Sequence, residues 1–221
     1  MNRIYYLPVF LFMFSCIGKH SSDAPKVIVN SIIEPIEDVK ADTIRMNVQK
    51  SVIQWIATEM RGIRHRKGIV SFKSGFFLMR NDELVGGNFI LAMETIDVTD
   101  IPTHEKIARN NLLNHLKSAD FFNIIEYPQG SLELTNIQKL GSDSLRISGN
   151  LSIREVTKNI EFLAHQNDSI FRANFTFNRF DWNIAYKGSW ADKTLVDKDF
   201  ELVIEIITEP HFSCPMKSLR K

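Results

Sequence analysis

The stretch GNLSIREVTKNIEF, residues 149–162, is the part of this chain that says most about its fold. Apolar and polar residues alternate on both sides of a short polar connection, which is typical of two half-buried strands joined by a turn. Before it in the chain, HLKSADFFN, residues 115–123, places a charged helix end beside Phe121 and Phe122. A strand pair and the end of a helix are therefore the first elements that the sequence predicts.

Alternation with a period of two continues through most of the chain from Val48 onward. It predicts eight strands, at residues 51–57, 68–79, 84–93, 131–138, 143–153, 158–165, 170–178 and 200–208. Only residues 104–117, soon after Pro102, have helical spacing. One helix among eight antiparallel strands predicts a mainly β fold, a closed barrel with the helix at one end. Such a barrel is just filled by side chains or holds one small ligand.

Six stretches in matching order, from about residue 51 to residue 206, resemble the YceI-like family of lipocalin-like, polyisoprenoid-binding barrels. They are the two quoted above, the alternation of Ser51, Ile53 and Trp55, HRKG at 65–68, Tyr127-Pro128, and FNRFDWNI at 177–184. The resemblance implies an eight-stranded lipocalin-like barrel that encloses a long isoprenoid chain.

Sixteen phenylalanines cluster on the predicted strands. Aromatic stripes on strands are ordinarily core, but the resemblance implies a wall around a ligand, whose burial is worth about 0.8 kcal/mol per CH₂. Alternation and resemblance together assign nine residues to the ligand site: Ile53, Trp55, Phe72, Phe89, Leu91, Phe175 and Phe177 inside, with Phe121 and Phe122 closing one end. A slip of one residue would turn any of these side chains to the other face.

A head group of the ligand needs polar partners, and two basic clusters are candidates. Arg64, His65 and Lys67 lie on the hairpin between the first two predicted strands, and His115 lies at the end of the helix. If both clusters face the same barrel mouth, they form a cationic rim that suits a phosphate or carboxylate. The alternatives are a solvated charge cluster on the hairpin and a structural histidine that caps the helix.

The amino terminus is typical of an export signal. Arg3 is followed by an apolar stretch, residues 4–14, that is shorter than the roughly 20 residues needed to span a bilayer. Ser15-Cys16 resembles the lipobox of bacterial lipoproteins, which implies that Cys16 is acylated. We therefore expect an exported protein, anchored in a membrane and facing the periplasm or the cell surface. The alternative is a simple secretory signal in which Cys16 has no role.

Four segments are expected along the chain: a signal peptide at 1–15, a lipid-anchored tether at 16–45, the barrel domain at 46–209 and a tail at 210–221. As a flexible coil of about thirty residues, the tether would have an end-to-end distance of about 30 Å. Residues 32–36 could instead dock on the barrel as an extra strand. Cys214, in the tail, has no partner in the chain if Cys16 carries lipid.

Composition and motifs argue against several function classes. Without Arg3 the chain has 26 basic and 26 acidic residues, whereas a nucleic-acid-binding domain usually has a basic excess. The sequence has no HExxH, no Cys-x-x-Cys, no GxSxG and no phosphate-binding glycine loop. We expect a protein that binds a hydrophobic small molecule without catalysis, metal or cofactor, apart from a bound isoprenoid or related lipid. The alternatives are a scaffold or stress-response protein that functions through loops 61–67 or 181–192, and an enzyme acting on a lipid.

Overall fold

The computed structural model describes residues 24–35, 40–59, 64–81, 83–184 and 196–209. Within them the chain forms ten strands, one α-helix, and a 3-10 helix at Arg179–Trp182. In chain order these are β1 Ile28–Asn30, β2 Asp42–Arg45, β3 Val52–Glu59, β4 Arg64–Arg80, β5 Glu83–Val98, α1 Lys106–Lys117, β6 Gln129–Lys139, β7 Ser144–Ile153, β8 Val156–Asn167, β9 Ile170–Asn178 and β10 Val196–Ile207. The predicted single helix and eight longer strands are confirmed, with shifted ends.

Strands β3 to β10 form a closed antiparallel barrel. Each pairs with the next along the chain, and β10 pairs with β3 to complete the ring. The predicted fold class is therefore confirmed. Trp55 on β3 lies opposite Gly68 on β4, and a methyl group on Gly68 would collide with the indole ring and with the carbonyl oxygen of Asp97. Only glycine leaves the space that this indole occupies.

The long pair β4 and β5 is bent by irregularities in its register, of which one lies between Leu78 and Met79. A Cβ on neighbouring Gly87 would lie 2.7 Å from the carbonyl oxygen of Phe76. Gly86-Gly87 thus marks a bulge with close backbone contact, and such bulges let a strand curve around a barrel.

Helix α1 is fixed to the end of β5 by polar contacts. The Arg109 guanidinium donates to both carboxylate oxygens of Asp97 at 2.5 Å, and Lys117 Nζ donates to the Glu94 carbonyl at 3.0 Å. Asp100, which follows β5, accepts hydrogen bonds from the Lys67 backbone N–H at 3.0 Å and from Arg66 at 3.1 Å. These two aspartates therefore organise the connection from β5 to the helix and hold it against β4.

Part of the segment expected as a tether is instead docked on the barrel. Strand β2 pairs with β4, and β1 pairs with β8 through Ile28 opposite Glu161 and Asn30 opposite Asn159. The expectation of a coil over 16–45 is therefore wrong for residues 28–30 and 42–45. Extra strands do dock, at 28–30 and 42–45, whereas the described part of the stretch 32–36, residues 32–35, forms no strand. Both strands are short and mostly exposed, so they lack an alternating pattern.

Residues 24–30, which we call the wedge, fill a gap in the barrel wall. Strands β8 and β9 pair only over residues 164–167 and 170–173. Beyond that point β1 pairs with β8, while Val27 N–H donates to the Thr176 carbonyl and Thr176 N–H to the Pro25 carbonyl, each at 2.9 Å. The wedge therefore joins two strands that do not pair with each other at this level.

The expected signal peptide, the beginning of the tether and the tail at 210–221 lie outside the described residues, as do Cys16 and Cys214. Their proposed roles stay predictions. In the part of the chain that the structure describes, no helix has both the length and the apolar character needed to cross a membrane.

Candidate ligand cavity in the barrel interior

The barrel encloses an apolar cavity of about 70 Å³. Its wall is formed by inward side chains of the barrel strands: Ile53, Phe72, Phe77, Phe89, Leu91, Leu132, Leu134, Ile147, Leu151, Phe162, Ala164, Phe171, Ala173, Phe175, Leu202, Ile204 and Ile206. Among the described residues, Arg172 is the one polar residue at the wall. The Arg172 guanidinium pairs with Glu205 at 2.8 Å, and the Arg172 side chain is 55% exposed. The interior of the cavity is therefore without charge.

Several inward residues keep accessible surface because they border this space. Leu91, Leu132, Leu202 and Ile204 are only partly buried although they belong to the core cluster. Leu202 lies opposite Trp55 and Phe175, so its side chain faces the interior. The cavity volume is well below the roughly 300–1,000 Å³ of small-molecule pockets.

The structure places the nine predicted ligand-site residues in two groups. Ile53, Phe72, Phe89, Leu91 and Phe175 line the cavity. The other four, Trp55, Phe121, Phe122 and Phe177, are buried in the core cluster but are not part of the cavity wall. Alternation thus gave the correct face on each of these strands, while contact with a ligand stays a prediction. Phe77, Phe162 and Phe171 also line the cavity. They were not among the nine predicted residues, although they follow the same alternation on their strands.

The end of the barrel beside α1 is filled by rings, which we call the aromatic plug: Phe121, Phe122, Phe177, Trp182 and Phe200. Phe121 contacts Phe122 and Phe200 with ring centroids 4.9 and 5.9 Å apart. Phe177 contacts Trp182 and Phe200 at 5.3 and 6.1 Å. Edge-on and tilted aromatic pairs of this kind add to the stability gained from burial. Phe121 and Phe122 therefore pack at this end of the barrel, while their closing of a ligand site stays a prediction.

Arg179 lies against this plug and is fully buried. Its guanidinium donates to the carbonyl oxygens of Ile184 at 2.9 Å and of Val196 and Asp197 at 3.2 Å, and lies 4.2 Å from the Phe180 ring centroid. Carbonyl oxygens accept hydrogen bonds from a buried guanidinium, and a ring face attracts its charge. The sequence singled out FNRFDWNI, but only one of the three carbonyls that Arg179 meets, that of Ile184, lies within this stretch.

The predicted cationic rim lies at the plugged end of the barrel. Arg64, His65 and Lys67 are exposed on β4. Since Gly68 and Val70 face inward, His65 and Lys67 lie on the outer face of the strand. The His115 ring packs against Phe121, with centroids 5.4 Å apart. The aromatic plug lies between these residues and the cavity, so their role in holding a head group stays a prediction.

Arg66, on the same hairpin, is partly buried and makes two ion pairs. Burial lowers its pKa, but hydrogen bonds and charges of Asp100 and Glu59 outweigh that effect and raise the pKa above its ordinary value. The guanidinium lies 3.1 Å from Asp100 and 3.3 Å from Glu59. Arg66 is thus a structural cation that links β3, β4 and the connection to α1.

The opposite end of the barrel has a cleft of about 340 Å³, which we call the polar mouth. It is lined by Glu83, Leu84, Ile137, Gln138, Lys139, Ser142, Asp143, Leu145 and Gln166. β5 begins here with Glu83 and ends at Val98 beside α1, so the mouth and the plug lie at opposite ends. Sequence reasoning did not select any of these residues, because polar residues near turns are common on any barrel.

No group of three or more His, Cys, Asp or Glu side chains within the described ranges could hold a metal ion. The expectations of no metal and no catalysis remain predictions.

Comparison with known families gives one match over most of the chain. The model described as "YceI-like domain" matches residues 45–208. Two curated relatives match shorter stretches: a UPF0312 protein of Azotobacter vinelandii is 40% identical over 50 residues, 23% of this chain and 26% of that protein. Protein YceI of Salmonella arizonae is 46% identical over 44 residues, 20% of this chain and 22% of that protein. The chain thus matches about a quarter of the length of these relatives.

Two solved structures have the same fold. BcnA of Burkholderia cenocepacia superposes with a TM-score of 0.60 at 16% identity, covering 74% of this chain and 99% of that one. A polyisoprenoid binding domain from Saccharophagus degradans, implicated in plant cell wall breakdown, superposes with a TM-score of 0.52 at 8% identity, covering 76% and 98%. At these identities the similarity establishes the architecture alone.

Proposed function

Because the chain belongs to the YceI-like family, we propose that its barrel binds a hydrophobic chain in the interior: a polyisoprenoid, an isoprenoid quinone or a related lipid. The observation that carries this proposal is the uncharged cavity enclosed by a closed barrel wall. The description of the Saccharophagus degradans neighbour as polyisoprenoid-binding supports this class of ligand. The proposal includes export and a lipid anchor at Cys16, so that the barrel acts at the cell envelope.

Apolar burial supplies the affinity in this proposal. Each CH₂ group that moves from water into the cavity contributes about 0.8 kcal/mol. A cavity of about 70 Å³ is smaller than a chain of several isoprene units, so the lining leucines and isoleucines must move apart to admit it. Leu91, Leu132 and Leu202 already border free space, which makes their rotamer changes less costly than those of tightly packed residues.

The chemistry of the wall supports binding rather than turnover. General acid–base or nucleophilic catalysis needs an ionisable or nucleophilic side chain within hydrogen-bonding reach of the substrate. Among the described lining residues only Arg172 is ionisable, and its guanidinium pairs with Glu205. We therefore propose carriage, storage or sensing of the ligand without chemical change.

A scaffold protein is the second candidate function, and the modest size of the cavity favours it. In that case partners would bind loops of the barrel, including 61–67 and 181–192, parts of which lie outside the described residues. The two functions differ in whether a lipid occupies the interior.

Native mass spectrometry of the full chain, purified from its own host, tests this difference. We expect a stoichiometric prenyl lipid or quinone that organic extraction releases. Ala173→Phe, which fills the cavity, should abolish this occupancy, while Asn174→Phe on the outer face of the same strand should not. A wild-type barrel that carries no lipid and ignores added isoprenoids would exclude the binding function and leave the scaffold.

A further inference from the structure

We infer that the polar mouth holds the head group of the bound chain, and that this head group is an uncharged oxygen group, a hydroxyl or a quinone carbonyl, rather than a phosphate. The inference rests on the proposed function, because it supplies the polar end of a site whose apolar part is the cavity. It places the head group at the end of the barrel opposite the basic residues Arg64, His65 and Lys67.

The strand register places Lys139 and Gln166 of the mouth on the same inner face of the sheet as residues that line the cavity. Ile137 lies opposite Ile147, which lines the cavity, and Lys139 lies opposite Leu145 one step closer to the barrel end. Gln166 lies opposite Phe171, another cavity-lining residue. Directly paired residues, and residues two apart on one strand, share a face of the sheet. The side chains of Lys139 and Gln166 are therefore at the edge of the same interior surface.

At the other end, the described residues are packed against one another. The aromatic plug fills it, and the buried Arg179 beside the plug already donates to three backbone carbonyls. A chain that occupies the cavity with its apolar part therefore has its polar end at the mouth.

Some hydrogen-bonding side chains of the mouth are used within the protein, and others are not. Asp143 accepts from the hydroxyls of Ser142 and Ser144, and Gln138 accepts from Arg146. Lys139 and Gln166, by contrast, make no side-chain hydrogen bond or ion pair within the described part of the chain. An ammonium and an amide are both donors to a hydroxyl or carbonyl oxygen.

The charges around the mouth select against an anionic head group. Glu83 and Asp143 bring two carboxylates to the lining, while Lys139 brings one ammonium. A phosphate would add negative charge to a site where carboxylates already outnumber the cation, and like charges repel. A neutral oxygen group can use the donors without this cost.

Three probes with isoprenoid chains separate these contributions: geranylgeraniol, geranylgeranyl phosphate and squalene, which has no head group. Their binding to the full chain is measured by native mass spectrometry. We expect geranylgeraniol to bind more tightly than the phosphate. Lys139→Met and Gln166→Leu should each weaken geranylgeraniol binding about fivefold, the effect of one hydrogen bond, and leave squalene unchanged. Lys73→Met, which removes an exposed lysine outside the mouth, is the control and should change neither.

Three results would overturn the inference while the proposed function stands: tighter binding of the phosphate, mouth variants that bind geranylgeraniol as the wild type does, or weakened binding in the double variant Arg64→Glu with Lys67→Glu only. If the wild type binds none of the three probes, the proposed function itself fails.

Discussion

The side-chain amide of Asn150 exchanges two hydrogen bonds with the backbone of Ile33, donating to its carbonyl at 2.7 Å and accepting from its N–H at 3.2 Å. Asn159 Nδ2 also donates to Asn150 Oδ1 at 3.1 Å and to Thr135 Oγ1 at 3.0 Å. These polar residues are buried although they lie on the outer face of the barrel. The amino-terminal segment is therefore held by specific polar partners.

Replacement of Asn150 by alanine should loosen this segment. Asn150→Ala removes both bonds to Ile33 and one partner of Asn159, so we expect the free energy of unfolding to fall by about 1–2 kcal/mol. Urea denaturation measures this change. Asn136→Ala, at an exposed position, is the matched control. An equal effect of the two substitutions would show that the Asn150 contacts do not stabilise the fold.

A charged residue at the buried side of the wedge should weaken the hydrogen bonds that the wedge makes with β8 and β9. Val27 packs against the core, whereas neighbouring Ile28 is 58% exposed. Val27→Asp buries a carboxylate without a partner, so we expect faster hydrogen exchange in residues 159–161 and 175–177 and little change in β3. Ile28→Asp should leave exchange near the wild-type rate. Uniform acceleration through the whole barrel in Val27→Asp would contradict a local role of the wedge.

Gly68 is needed for the position of Trp55. Gly68→Ala would bring its methyl group against the indole and against the Asp97 carbonyl, which belongs to the backbone and cannot rotate away. We expect a loss of about 1–3 kcal/mol, typical of overpacking, seen as a lower Tm. Gly141→Ala meets nothing within 4 Å and should change stability by less than about 0.5 kcal/mol. Similar Tm values for the two variants would rule out the steric argument.

Substitution of Arg179, which lies beside the aromatic plug, should lower the free energy of unfolding strongly. Arg179→Met leaves the carbonyls of Ile184, Val196 and Asp197 without this donor in a buried site, and we expect a loss of about 3 kcal/mol or more. Arg146→Met, which removes an exposed ion pair with Glu161, should cost less than about 1 kcal/mol. Equilibrium unfolding compares the two. A loss at Arg179 no greater than that at Arg146 is the contrary result.

The lipid anchor is tested separately from the barrel. If Cys16 is acylated, Cys16→Ser should move the protein from the membrane fraction to the soluble fraction while the fold is kept. Fractionation followed by mass determination of the amino terminus measures this. A cleaved Cys16→Ser protein that stays with the membrane would require another anchor.

The barrel was predictable because its strands are half buried, so alternation shows both their existence and their inward face. Phe72 and Phe89 follow this rule, and both line the cavity. The wedge was not predictable, since β1 is short and exposed and the docking of the wedge depends on β8 and Thr176, far along the chain.

The difference between cavity and plug also lies beyond the sequence pattern. Phe121 and Phe175 are both buried aromatic residues, yet one packs into the plug and the other lines the cavity. Their partners across the barrel decide this, and those partners come from strands distant in the chain. The same holds for Arg179, whose sequence context does not reveal the carbonyls that surround it.

The amino-terminal segment is held by contacts between residues that are far apart in the chain. Ile33 and Asn150 are 117 residues apart, and Ala24 and Thr176 are 152 apart. Contacts between such distant residues form late, because closing long loops costs entropy before any contact repays it. The same applies to the pairing of β3 with β10, so docking of the wedge and closure of the barrel are both late steps of folding. The wall between β8 and β9 is thus completed by a segment that is synthesised before any of the barrel strands.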